Sequence, residues 1–428
     1  MKINSIKSKR LNEEVLNAEL SNGLKVFYMP KKDYVKKYAI YSTNYGSIDN
    51  TFVPIGEEKG LTVPEGIAHF LEHKLFEEPD VSIFDEFAKL GSYVNAFTSN
   101  NQTAYLFSCV DEFEKNLELL VEFVQNPYFT DENVEKEKGI IEQEIRMYND
   151  APDWKVYSNC LSAMFVNHPV KIDIAGTVES TRSINKELLY KCYNTFYNPG
   201  NMVLFMIGDI DFERALSIIE EKQKNVEKLE NGIARLKVQE PKEINKSLIE
   251  ENLSVSIPLF NIGFKDTDVG YDGEKLVRKE ICTNILLEVL YGSSSDFFQE
   301  LYEEGLINDS FGFQYLGYKD YGYAILVGES KTPKEVHKRI LQSAVDATKK
   351  GISEDDFERT KRKLMGYHIT DLNSIDNIAT SYITYYYKNF SMLNYLDVLE
   401  GINIQDIEER CKSFLNEKYC CLSIVNPK

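Results

Sequence analysis

The chain is poor in several residue types, and each shortage excludes something. Of its 428 residues only five are histidine and one is tryptophan. The seven cysteines (Cys109, Cys160, Cys192, Cys282, Cys411, Cys420 and Cys421) are odd in number, scattered, and contain no C-x-x-C pair. Neither a disulfide framework nor a cysteine zinc site is expected, and the usage fits reduced thiols in a cytoplasm. No block of Lys and Arg is long enough to follow a phosphate backbone, and the net charge is −19, so no nucleic-acid partner is expected. No apolar run approaches the roughly 20 residues of a membrane span, and no signal-peptide core follows Met1-Lys2-Ile3-Asn4-Ser5-Ile6-Lys7. These absences together predict a protein of the cytoplasm with no membrane contact. What remains is 43% hydrophobic and 12% aromatic, enough for a sizeable core, in a length that calls for two or more domains.

Two of the five histidines fall within His69-Phe70-Leu71-Glu72-His73. At this chain's own His and Glu frequencies, such an H-x-x-E-H pattern would arise by chance in well under about one sequence in a hundred of this length. On a helix, His69 and His73 are i and i+4, so their rings leave one face a single turn apart and can grip one ion. Glu72 shares that side, too crowded to be an easy third ligand but well placed to take a proton from a water that the ion acidifies. The bland alternative is a partly buried helix with two hydrogen-bonded histidines. Burying two imidazoles and a carboxylate on one face is costly unless something binds them.

Residues 17–29 predict two short strands around Asn22-Gly23, and residues 38–47 a further strand. Pro64 suits the start of the motif helix. Residues 83–90 read as a helix stopped by Gly91, 92–99 and 103–110 as strands, 117–124 as a helix, 187–197 as a helix and 201–209 as a buried strand. A strand so close after the motif is a natural place for an extended peptide to add itself, although an ordinary sheet strand explains it equally well.

Residues 130–150 predict a long helix. With Ile141 at zero and about 100° per residue, Val134, Ile145 and Tyr148 fall within about 40° of it, which defines the apolar face. Glu137 and Glu144 fall on that face, whereas Glu135 and Glu142 point away. Carboxylates on a core-facing stripe need a partner such as a metal or a ligating histidine. Charge runs on helices are usually solvated, and geometry alone leaves the choice open. Beside the histidine motif, the favoured reading makes Glu144 a third ligand and Glu137 its support.

Composition shifts to Glu, Lys and Asn between about 220 and 246, which divides the chain into a first domain, 1–222, a linker, 223–245, and a second domain, 246–428. The second half resembles the first in character. Ile285-Leu286-Leu287-Glu288-Val289 stands where the histidine motif would be, with Ile285 and Val289 in the histidine positions and Tyr367 near that of Glu144. A duplicated α+β unit is expected, with one living metal site and one dead one.

Gly66-Ile67-Ala68-His69-Phe70-Leu71-Glu72-His73, Asn95-Ala96-Phe97-Thr98-Ser99, the helix from Glu137 to Glu144, and Asn198-Pro199-Gly200-Asn201-Met202 with Gly208-Asp209 carry a resemblance over nearly the whole chain. They resemble the pitrilysin family of zinc peptidases, which includes insulin-degrading enzyme and the mitochondrial processing peptidase, and most closely its short two-domain bacterial members. The resemblance implies an α+β fold of two homologous α/β sandwiches, each a mainly antiparallel sheet covered by helices. It implies one Zn²⁺ per chain on His69, His73 and Glu144, Glu72 as general base, and Glu137 positioning a ligand histidine. The strand through Asn95, Ala96 and Phe97 would hold a peptide substrate by strand addition. Family members that complete their own site resemble an Arg-Glu-x-x-Gly-Leu-x-Tyr pattern in the second half. Here Tyr302 stands where the Arg is expected and Asn308 where the Tyr is expected. The expected enzyme is therefore the zinc-bearing subunit of a two-chain peptidase, a heterodimer whose second chain supplies Arg and Tyr, with a homodimer as the other arrangement. A non-catalytic structural or partner subunit is the competing reading, and a zinc hydrolase of non-peptide substrates a third.

Overall fold

The computed structural model describes residues 2–79, 82–223, 228–229 and 232–428. The chain forms two compact units, the first Met1–Ile145 with Asp173–Lys237 and Leu372–Tyr387, the second Arg146–Ile172 with Val238–Asp371 and Lys388–Lys428. The changeover after Lys237 lies inside the expected linker, part of which falls outside the described residues.

The first unit is built on a seven-stranded sheet of β1 (Asn4–Ser8), β2 (Glu13–Glu19), β3 (Lys25–Pro30), β4 (Lys37–Thr43), β5 (Tyr93–Thr98), β6 (Thr103–Cys109) and β7 (Met202–Gly208), in the order β1-β2-β3-β7-β4-β6-β5. Among the described residues, only the β3–β7 pair of this sheet is parallel. The central strands β4, β6 and β7 are buried almost throughout, as their continuous apolar runs require. At one edge, β5 pairs with β6 alone among the described residues, which leaves its other backbone edge open.

The first four helices of this unit are α1 (Ile67–Leu75), α2 (Ile83–Lys89), α3 (Phe113–Gln125) and α4 (Asp131–Asp150). On α1, Ile67, Ala68, Phe70, Leu71 and Leu75 are buried in the core that Phe107, Leu120, Phe123 and Ile141 share. The helix starts at Ile67, three residues after Pro64. Gly66, its cap, has φ +82, which is outside the right-handed region and stops the helix from reaching back to Pro64.

The second unit carries a five-stranded sheet of β8 (Leu248–Leu253), β9 (Leu259–Lys265), β10 (Gly312–Gly317), β11 (Gly322–Glu329) and β12 (Cys420–Pro427), in the order β8-β12-β9-β11-β10. Its parallel pair is β8–β12. Strand for strand, this repeats β3-β7-β4-β6-β5 of the first sheet, including the place of the parallel pair. The duplication expected from sequence is thus present in the topology.

Each unit also takes one helix from the other half of the sequence. Helix α5 (Pro152–Met164) packs on β9 and β12 of the second sheet. Helix α10 (Ile375–Tyr387) packs on the equivalent β4 and β7 of the first, with Tyr382 stacked on Phe205 at 4.6 Å. Between them in the chain lie α6 (Lys186–Phe196), α7 (Phe212–Lys222), α8 (Gly273–Tyr291) and α9 (Glu354–Asp371).

The start of α1 is set by two glycines that face each other. A Cβ on Gly66 would lie 2.2 Å from the Ala175 carbonyl oxygen, and one on Gly176, itself at φ +75, would lie 2.5 Å from the Glu65 carbonyl oxygen. Backbone thus touches backbone where the motif helix begins. Gly66→Ala and Gly176→Ala should each lower stability by about 2 kcal/mol or more, because each adds strain to a steric clash. Urea unfolding of the purified variants measures this, and an unchanged midpoint would contradict it.

Candidate metal centre

The motif helix α1 and the long helix α4 bring the predicted residues together. His69 Nε2 lies 3.7 Å from Glu144 Oε1, and His73 Nε2 lies 3.6 Å from Glu144 Oε2. One donor atom from each of the three residues falls within 4.8 Å of the others. These separations exceed those of good hydrogen bonds. Ligands at about 2.1 Å around a tetrahedral ion stand about 3.4 Å apart, close to what is found. The donor set, two imidazoles and one carboxylate, is that of a catalytic zinc site with room for a fourth ligand.

The two histidines sit in different surroundings. His73 Nδ1 is 3.0 Å from Glu137 Oε1, and Glu137 is buried at 5% exposure on the core face of α4. A carboxylate there accepts a hydrogen bond from Nδ1–H, fixes the tautomer and leaves the Nε2 lone pair for an ion. Burial disfavours the charged form of His73, yet Glu137, Glu72 and Glu144 outweigh it and its pKa is raised. His69 has no such support: its Nδ1 is buried without a hydrogen-bond partner among the described residues. Burial first, and then His73, push its pKa down to about 3, so it stays neutral and able to ligate at ordinary pH.

Glu72 is only 9% exposed, and Thr98 Oγ1 donates to its Oε2 at 2.6 Å. Burial raises its pKa, Thr98 and His73 oppose this, Glu144 adds to it, and the net shift is upward. A carboxylate with raised basicity beside a metal site is equipped to take and return a proton. As expected, Val134, Ile141 and Ile145 form the buried stripe of α4. Glu135 is solvated, and Glu142 is held by Arg182 Nε at 2.7 Å.

A cavity of about 750 Å³ adjoins these groups, with Glu72, His73 and Glu137 on its wall together with Asn95 and Ala96 of the open-edged strand β5. Phe97, the third residue expected to touch substrate, is not among the lining residues. Phe76 and Phe84, stacked at 4.5 Å, form an apolar part of the wall.

Two residues of this site escaped the sequence reading. Lys74 is fully buried, and its Nζ donates to the Asn133 carbonyl on α4 at 3.3 Å and to the Glu77 carboxylate, tying the end of α1 to α4. A lysine on the apolar stripe of α1, flanked by Phe70 and Leu71 around the helix, was the available sign. Thr98 lies inside the Asn95-Ala96-Phe97-Thr98-Ser99 stretch that carries the resemblance, but a β-branched residue in a strand gave no sign of a role of its own. In the second unit the corresponding helices α8 and α9 are joined by an ion pair, Lys363 Nζ to Glu288 at 2.6 Å. That pair stands in the repeat that carries Ile285 and Val289 in place of the histidines.

Family models match two stretches of the chain, residues 54–178 to the insulinase domain of peptidase family M16 and residues 183–364 to the peptidase M16 inactive domain. A Bacillus subtilis protein, described as the uncharacterized zinc protease YmfH, is 42% identical over 95% of both chains. The chain belongs to the M16 peptidase family. Another Bacillus subtilis relative, described as the uncharacterized zinc protease YmxG, is 26% identical over 87% of this chain and 91% of its own. The crystal structure of an M16-like peptidase from Alicyclobacillus acidocaldarius superposes with a TM-score of 0.94 at 38% identity, over 99% of this chain and 100% of that one. A Helicobacter pylori protease shares the fold, with a TM-score of 0.82 at 17% identity over 97% and 100% of the two chains. These matches bear out the pitrilysin-type family, its short two-domain form and the helix-covered α+β fold.

Glu137→Gln keeps a hydrogen-bond acceptor but removes the charge behind His73. Zinc affinity should fall by about 10- to 100-fold. Competition against a chelating dye measures it, with the solvated Glu135→Gln as a control that should bind as the parent does. Equal affinities for the two variants would remove Glu137 from the site.

Proposed function

We propose that this chain is a zinc metallopeptidase that cleaves unstructured peptides, with His69, His73 and Glu144 holding one Zn²⁺. The observation that carries this reading is the spacing of those donors, too wide for hydrogen bonds and suited to one shared ion. The relatives described as zinc proteases support it at the level of the family. When bound, the ion would act as a Lewis acid toward the scissile carbonyl and lower the pKa of a water. Every other step falls to the chain's own groups. Glu72 accepts the proton of the attacking water and later delivers it to the leaving amine nitrogen. Glu137 keeps His73 in one tautomer through Nδ1. The open edge of β5 offers backbone groups at Asn95 and Ala96 to an extended peptide, which favours flexible substrates over folded ones. Phe97 is the weaker member of that assignment, because it lies off the cavity wall.

The proposal extends to a partner. Tyr302 is half exposed and stacked on Phe298, and Asn308 spends its amide on Glu329 at 3.0 Å and its carbonyl on Ser310. Tyr302 brings no cation where the resemblance implies an Arg, and Asn308 no phenol where it implies a Tyr. A second, related chain carrying Arg and Tyr would complete the enzyme as a heterodimer, with a homodimer as the simpler alternative. The seven cysteines are all free and buried thiols, which suits a bacterial cytoplasm. Among the described residues no helix is long and apolar enough to cross a membrane.

The rival reading is a non-catalytic partner subunit. The inactive-domain match falls on residues 183–364 and leaves the segment from His69 to Glu144 to the other model. Glu72→Gln separates the readings, since it should retain zinc while slowing peptide cleavage by about 10²-fold or more. Normal cleavage by that variant would overturn Glu72 as the base. Efficient turnover by the parent chain alone, as a monomer by sedimentation, would overturn the need for a partner.

A further inference from the structure

Glu72 is a carboxylate at 9% exposure, and a group so buried needs a hydrogen-bond donor. Thr98 is that donor, at 2.6 Å from Oε2. The hydroxyl has one proton, and the surroundings determine where it goes. Thr103 Oγ1 lies 3.4 Å away, directly opposite across the β5–β6 pair, but it is fully buried and already donates to the Tyr45 carbonyl at 2.9 Å. Thr103 therefore does not donate to Thr98, and as an acceptor it stands at 3.4 Å against 2.6 Å for the Glu72 carboxylate, so the Thr98 proton goes to Glu72.

The donor is also held rigidly. Thr98 ends β5, and the turn after it is closed by Ser99 N–H on the Gln102 carbonyl at 2.8 Å, with Ser99 Oγ accepting from the Asn101 and Gln102 amides. The Ser47 and Ile48 amides donate to the Ser99 and Asn100 carbonyls at 3.0 and 3.2 Å, so the turn is pinned from a second side. Alternation along β5 puts Val94, Ala96 and Thr98 on one face of the sheet.

We propose that Thr98 is the positioning residue of the general base: by occupying Oε2 it fixes the plane of the Glu72 carboxylate and leaves Oε1 as the oxygen that exchanges the proton. This rests on the peptidase reading above. As a lone pair of the water oxygen forms the new C–O bond, the carbonyl π pair moves onto the carbonyl oxygen, one O–H bond of the water breaks with its pair left on the water oxygen, and the proton passes to Oε1. It leaves Oε1 for the amine nitrogen as the oxyanion pair re-forms the C=O bond and the C–N bond breaks with its pair on nitrogen. Throughout, Oε2 keeps its donor, so the carboxyl group does not rotate between the two transfers. One strand thus carries both the base's orienting hydroxyl and the edge offered to substrate, which links their register.

Two measurements on the full chain test this. The first is a double-mutant cycle of urea unfolding on the zinc-loaded protein, crossing Thr98→Val with Glu72→Met. Thr98→Val should lower the midpoint clearly when Glu72 is present and shift it little when Glu72 is absent. Independent shifts would overturn the hydrogen bond itself.

The second is cleavage of a quenched-fluorescent library of unstructured decapeptides, by the chain alone or with its partner. Thr98→Val should lower kcat by about 10- to 100-fold, with KM and zinc affinity within about twofold of the parent. Thr98→Ser, which restores only the hydroxyl, should recover most of the rate. A parental kcat in Thr98→Val, failure of Ser to rescue, or a loss confined to KM would each overturn the positioning role. If the parent cleaves nothing either alone or mixed with a related chain that carries the Arg and Tyr, the peptidase reading fails and takes the positioning role with it. The unfolding cycle would still report on the hydrogen bond, which keeps the two failures distinct.

Discussion

The constraint on which the rest depends is the burial of opposed charges between α1 and α4. Two imidazoles and three carboxylates, Glu72, Glu137 and Glu144, converge where little water reaches, with Glu137 at 5% and Glu72 at 9% exposure. Unpaired anions in such a place would cost several kcal/mol each. The site resolves this by assigning each group a partner. Glu137 is matched to His73, Glu72 to Thr98, and Glu144 to the gap between both histidines. A divalent ion in that gap would balance the remaining charge and supply the chemistry proposed for the site.

Holding those partners in place is the work of the scaffold. Two glycines allow backbone contact where α1 begins, and the buried Lys74 ties its other end to α4. The helix that carries His69, Glu72 and His73 is thereby anchored at both ends, while Glu144 rides on a helix whose apolar stripe is locked in the core. The second unit repeats the five-strand topology without the chemistry. Where the first unit gathers histidines and carboxylates, the second pairs Lys363 with Glu288, so a lysine cation meets a carboxylate with no need of a metal. The exchange of α5 and α10 shows that neither half of the sequence completes its own unit.

Much of this was legible in the residues. His69, Glu72 and His73 declare themselves by helical spacing, and Glu137 and Glu144 by lying on an apolar stripe where carboxylates are expensive. The repeat was readable because both halves keep the same order of helix and strand. Three features were not readable, each for a physical reason. The helix exchange leaves no trace in periodicity, since α5 and α10 are amphipathic whichever sheet they cover. The true start of α1 depends on a tertiary approach between Gly66 and Ala175, and Pro64 is an equally good starting residue by local rules. Thr98 reads as an ordinary strand former until its hydroxyl is seen 2.6 Å from Glu72.

X-ray absorption at the zinc edge on the purified chain, with metal content measured on the same sample, tests the central claim most directly. The expected result is one zinc per chain, bound by two imidazole nitrogens and carboxylate oxygen at about 2.0–2.2 Å. Loss of zinc on dialysis without chelator, or scattering from sulfur at about 2.3 Å, would contradict it.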